Sequence, residues 1–204
     1  MFDLLDDREL MMRYVRFIDH KAPVTRREVK REHLRRRSEW LSYALLHRQV
    51  RRGEGVGIVC DARVECAYIN LGIMQIGATP ILLDTNLTAE QYLSLLGDVR
   101  VLVVENREVY QHFRLIFAQL QHLRLVLCIE PVEGELSVAD FIEEGRLFAD
   151  EEALLRRKNL VTTDDVCMYE YRGGVGYMPC NNFWRKPRRL TRSDNRRNSF
   201  GNQT

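Results

Sequence analysis

The sequence has no apolar run long enough to cross a bilayer, so no membrane-spanning helix is expected. It also lacks the basic start and apolar stretch of a secretory signal: Met1-Phe2-Asp3-Leu4-Leu5-Asp6-Asp7 begins acidic. Its 5 cysteines (Cys60, Cys66, Cys128, Cys167, Cys180) include no C-x-x-C pair. That pattern gives no zinc site and no disulfide framework, and free thiols in a reducing compartment are expected. Cys60, Cys128 and Cys167 fall in apolar runs and are expected to pack as small apolar side chains. His33 and His47 are too far apart on one helix to share a metal, as are His112 and His122. No Ser/His/Asp set sits on a recognisable nucleophile elbow. The formal net charge of +2 is too small to mark a nucleic-acid binder.

What is present suffices for a core. Of 204 residues, 45% are hydrophobic and 29% charged, a globular balance for one ordinary domain, or one domain and a tail. The charge is unevenly placed. Residues 1–52 carry 14 Lys+Arg and 8 Asp+Glu, residues 53–182 carry 10 and 20, and residues 183–204 carry 7 and 1. Basic ends thus flank an acidic body and are expected to pair with it. Arg26, Arg27, Lys30, Arg31 and Arg35–Arg37 wind around their helix between Glu28, Glu32 and Glu39. They read as a solvated helix face rather than a nucleic-acid stripe.

Periodicity gives strands and helices in alternation. A strand is read at 12–18. A helix from the Thr25-x-x-Glu28 capping box to about Val50 has His33, Trp40, Ala44 and His47 near its inner stripe, beside Leu34, Leu41 and Leu45. Val56–Cys60, Pro80–Leu83, Val101–Val104 and Leu125–Ile129 are short continuous apolar runs, the pattern of strands buried on both faces. Between them lie helices at 63–76 (apolar almost all round), from the Thr88-x-x-Gln91 capping box to about Leu96, and at 107–121. Short helices are read at Ser137–Glu144 and Glu151–Arg157, and a strand at Val166–Tyr171. This order predicts an α/β fold, layered, with a mostly parallel sheet and flanking helices.

The runs Gly55-Val56-Gly57-Ile58-Val59, Arg63-Val64-Glu65, Leu71-Gly72-Ile73, Gly77-Ala78 and Asn86-Leu87-Thr88-Ala89-Glu90-Gln91 occur in that order over roughly residues 25–130. In combination they resemble the N-terminal part of the AMP-forming acyl-CoA synthetases of the adenylate-forming superfamily. Asp84-Thr85-Asn86-Leu87 is most similar to the fatty-acid-transport, very-long-chain branch. The resemblance implies ATP-dependent conversion of a fatty acid to an acyl-adenylate, then transfer to coenzyme A, with ATP, Mg and CoA as cofactors of the intact family. It implies an N-terminal domain over residues 1–182, followed by a basic disordered tail at 183–204.

The family holds the ATP phosphates on a hydroxyl- and glycine-rich loop ending Pro-Lys-Gly, after an acidic pair and a strand ending in tyrosine. Asp164-Asp165, Tyr171, Gly174 and Pro179 match that layout. Arg172, Gly173, Val175 and Gly176 stand where hydroxyl residues are expected, Tyr177 replaces a glycine, and Cys180 and Asn181 replace the lysine and final glycine. Arg172, Gly173, Gly174 and Gly176 are the candidate cofactor-binding residues of this degenerate loop. Glycine backbone amides and the Arg172 cation are what remain to meet a phosphate, against the alternative of a flexible glycine hinge. The parts a family member carries beyond such a loop are absent from these residues. The expectation is a truncated relative, not catalytic alone, whose end is an alternative end, a frameshift or a fragment. Two alternatives stay open: an interaction or regulatory module, self-associating or binding a protein partner, and a weak nucleotide binder without turnover. No catalytic residue, metal ligand or specific nucleic-acid contact is expected. Placement in the cytoplasm, or at a membrane periphery through the basic tail, is the expected setting.

Overall fold

Four apolar runs become the centre of the molecule. In a computed structural model, described for residues 31–61, 63–162, 165, 168–172, 175–178 and 188–190, they form β1 (Gly55–Val59), β2 (Thr79–Leu83), β3 (Val101–Val104) and β4 (Leu125–Cys128). Shorter strands are β5 (Leu136–Ser137), β6 (Tyr169–Arg172), β7 (Val175–Met178) and β8 (Arg188–Leu190). One sheet has the order β5-β4-β3-β1-β2-β6-β7-β8. The strands from β5 to β6 are all parallel to their neighbours, while β7 and β8 add on antiparallel.

The helices are α1 (Arg31–His47), α2 (Val64–Gln75), α3 (Ala89–Leu96), α4 (Arg107–Arg114), α5 (Val138–Leu147) and α6 (Glu151–Leu160). The chain steps from β1 through α2 to β2, then back over β1 through α3 to β3. Right-handed crossovers in opposite directions place their helices on opposite faces. Alternate residues of each strand therefore serve two cores. Val56, Ile58, Val101 and Val103 join one core with α1, α2, α5 and α6. Val59, Leu102 and Val104 join the other with Tyr92, Leu96, Val109 and Phe113 of α3 and α4.

Glycine sets the closest approaches. A Cβ at Gly145 of α5 would lie 1.9 Å from the Trp40 carbonyl oxygen of α1, and one at Gly72 of α2 would lie 2.8 Å from that of Ser38. The Ser42 hydroxyl donates to the Gly72 carbonyl at 2.8 Å, fastening α1 to α2. The capping box opening α3 forms as read: Gln91 N donates to Thr88 Oγ1 and Thr88 N to Gln91 Oε1.

Several expectations are corrected. The helix read at 107–121 ends at Arg114 and resumes as a 3₁₀ turn at Phe117–Gln119. There i→i+3 bonds (Ile116 N to Phe113 O, Gln119 N to Ile116 O) tighten the chain. His33 and His47 are exposed, because the inner face of α1 is filled by Leu34, Leu41, Ala44 and Leu45. Cys128 is a free buried thiol, and the side chains of Cys60 and Cys66 meet where α2 starts over the end of β1. Within the segment 183–204 the described residues Arg188–Leu190 form β8. The strand read at 12–18, the Thr25 capping box, Cys167 and Cys180 lie outside the described residues.

The expected pairing of basic and acidic segments forms in part. Arg48 binds Glu144 and Arg52 binds Asp165. Arg35 and Arg36 turn back instead on Glu32 of the same helix and hold its carboxyl down to about 2. No helix among the described residues is long and apolar enough to cross a membrane.

Two stability measurements check this packing. Gly145→Ala is expected to cost about 3 kcal/mol in urea unfolding, since the clash is with backbone and neither helix can yield cheaply. Gly97→Ala, whose nearest neighbour lies at 3.4 Å, should change stability by less than about 0.5 kcal/mol. The side-chain amide of Gln75 is fully buried without a hydrogen-bond partner among the described residues. Gln75→Met, close in volume, is therefore expected to raise stability by about 1 kcal/mol.

Candidate functional site

Open parallel sheets bind ligands beyond the carboxyl ends of their strands, where neighbouring strands send their connections in opposite directions. In this sheet that point lies between β1 and β3. The residues following the strands there are polar: Asp61 after β1, Asp84 and Thr85 after β2, Glu105 after β3 and Glu130 after β4. The ladder runs past the strand ends, with Glu105 N donating to Val59 O at 3.0 Å and Glu130 N to Glu105 O at 2.9 Å. That continuation lines the acids up in a row.

Arg63, at the start of α2, sits among them. Its Nη1 donates to Glu105 at 3.1 Å and to Glu130 at 2.7 Å, and its Nε lies 3.4 Å from Glu65. Burial pulls the guanidinium pKa down, but hydrogen bonds and charge from Glu130, Glu65 and Glu105 outweigh it and hold the group above its ordinary value. Asp61 N donates to the other Glu105 oxygen at 2.8 Å. The loops after β1, β3 and β4 are thus tied through one cation. The loop after β2 is fixed separately. Tyr92 is buried, which raises its hydroxyl to about 12, and the protonated group donates to Asp84 O at 2.7 Å.

The candidate phosphate loop starts at this same edge. β6 lies beside β2 with Leu83 opposite Tyr171, so Arg172 ends a strand at the carboxyl side of the sheet. Gln91 of α3 donates to the Tyr171 hydroxyl at 3.4 Å. Gly176 lies within β7, opposite Tyr171 on one side and Leu190 on the other. Gly173 and Gly174 lie outside the described residues. The structure therefore places Arg172 and Gly176 in paired backbone at one end of the sheet, two strands from the Arg63 cluster.

Sequence reasoning missed the Arg63 cluster. Arg63-x-Glu65 stood out as a short run, but Glu105 and Glu130 are 42 and 67 residues away. The signal that could have found them is an acid immediately after each of the four apolar runs. Among the described residues no group of three His, Cys, Asp or Glu side chains is disposed to hold a metal ion. The arrangement joins loops and presents an acidic surface.

Comparison with known proteins accords with the topology. The model of a family described as AMP-binding enzyme matches residues 15–174. No curated protein matches the sequence. Among solved structures, an anthranilate CoA ligase in complex with anthranoyl-AMP aligns at TM-score 0.61 and 22% identity, covering 82% of this chain and 33% of that one. A long-chain-fatty-acid-CoA ligase from Archaeoglobus fulgidus aligns at TM-score 0.59 and 18% identity over 88% of this chain and 36% of that one. A Mycobacterium tuberculosis fatty acyl CoA synthetase gives 0.60 and 16%, over 82% and 34%. The chain spans about a third of the length of these solved enzymes. At these identities the likeness is one of fold, that of the N-terminal subdomain of adenylate-forming enzymes.

Replacing Arg63 by alanine would leave Glu65, Glu105 and Glu130 facing one another. The expected loss is about 1 kcal/mol in urea unfolding at neutral pH. It should shrink on adding salt. A loss that ignores salt would show that Arg63 acts by packing alone.

Proposed function

The chain belongs to the AMP-binding enzyme family, and from that premise we propose that it forms the amino-terminal layer of a fatty acyl-CoA ligase of the fatty-acid-transport type, and that the 204-residue polypeptide does not itself turn over. The observation that carries the first part is the doubly wound sheet, whose parallel strands from β1 to β6 fall within or against the matched residues 15–174. The Asp84-Thr85-Asn86-Leu87 run supports the fatty-acid branch.

The second part rests on the residues after β6. Acyl-adenylate formation needs charge on the transferring phosphate group to be stabilised by preorganised donors and cations. The segment 171–181 offers Arg172 as its single cation and no hydroxyl other than the phenols of Tyr171 and Tyr177. The backbone at Gly176 faces a paired strand on each side, which occupies amides that a phosphate-holding loop would present. The same edge carries Asp61, Asp84, Glu105 and Glu130, whose charge disfavours a triphosphate. These residues do not fit ATP with Mg.

The test is direct. Pure 204-residue protein, given ATP, Mg²⁺, palmitate and CoA, is expected to form no palmitoyl-CoA above the protein-free blank, and to show no ATP–pyrophosphate exchange. Palmitoyl-CoA formation that requires both ATP and CoA would overturn the proposal of inactivity.

A further inference from the structure

The opposite edge of the sheet, where the parallel strands begin, has the reverse charge. There a cavity of about 160 Å³ has Arg48, Arg100, Arg124 and Glu54 as its charged lining. Register explains the gathering. Val101 of β3 lies opposite Leu125 of β4 and Val56 of β1. The residues just before each strand therefore stand in a row, and Arg124 N donates to Arg100 O at 2.8 Å. Two arginines on directly adjacent strands repel each other. Arg48, at the end of α1, adds a third cation.

Compensation among the described residues is thin. Among the described residues Glu54 is the one carboxylate lining the cavity. It accepts from Arg100 at 3.1 Å and is shared with the Arg51 backbone amide at 2.9 Å. Glu144 engages Arg48 at 2.7 Å. Arg124 Nη1 donates to the carbonyls of Gln121 and Leu123, and no described carboxylate pairs with it. Arg48 and Arg100 are each nearly half exposed, so the cavity opens to solvent.

We propose that this amino-edge cavity binds a phosphate group, held between the guanidinium forks of Arg100 and Arg124 with Arg48 at its side. Guanidinium matches the geometry of phosphate oxygens, and a dianion converts the cross-strand repulsion into shared attraction. The phosphate belongs to a free phosphomonoester-class ligand or to a lipid headgroup, and the two sources are separable.

Calorimetric titration of the 204-residue chain with inorganic phosphate at low salt is expected to give saturable one-to-one binding. Arg100→Gln/Arg124→Gln should weaken it at least tenfold. Arg156→Gln, on the Glu152 pair of α6, should leave it unchanged. Co-sedimentation with vesicles containing phosphatidic acid, lost in the same double variant, without binding of inorganic phosphate, identifies the headgroup as the source. Thermal melts in phosphate-free buffer should show the double variant folded; if it is not, Arg124→Gln alone, which removes contacts to backbone carbonyls only, takes its place. Absence of binding in both arms, or binding equally strong in the variants, overturns the proposal.

Discussion

Burial of the central strands on both faces is the constraint on which the rest of this molecule depends. β1 and β3 have no exposed residue, and neither can be covered from one side. Val101 and Val103 require α1, α2, α5 and α6, while Leu102 and Val104 require α3 and α4. Because both sets of contacts come from the same strands, neither helical layer is dispensable to the other. The glycines at 72 and 145 follow from that need, since α1 must descend close onto α2 and α5 to close its side.

The same topology sorts the charges. Each parallel strand begins at one edge and ends at the other, so residues before the strands gather on one side and residues after them on the opposite side. Here the residues after the strands are mostly acids held around Arg63, and those before them include Arg100 and Arg124. A net charge of +2 conceals this separation. An acidic carboxyl edge is an unusual setting for phosphate chemistry in a sheet of this topology.

The fold was largely legible because its signals are local. Val101–Val104 could be read as a strand from four consecutive apolar residues, and Thr88 and Gln91 named the start of α3 through a reciprocal cap. What stayed hidden depends on contacts distant in sequence. The role of Arg63 needs Glu105 and Glu130, and the exposure of His33 and His47 depends on which stripe of α1 meets α2 and α5. β5 is two residues long, below any periodic signal. Of the candidate phosphate loop the sequence shows composition, with glycines and Arg172 but no Ser, Thr or Lys over 172–181. The pairing of Gly176 between β6 and β8 was not legible, because a glycine run carries no side-chain pattern to fix a register.

Native-state hydrogen exchange on the 204-residue chain tests the two-sided core most directly. Amides of Val56–Val59 and Leu102–Val104 should be the slowest, and the buried amides of α2 and of α3 should exchange in the same cooperative opening as those strands. Independent opening of the α3–α4 side, with β1 and β3 still protected, would contradict the dependence of each layer on the other.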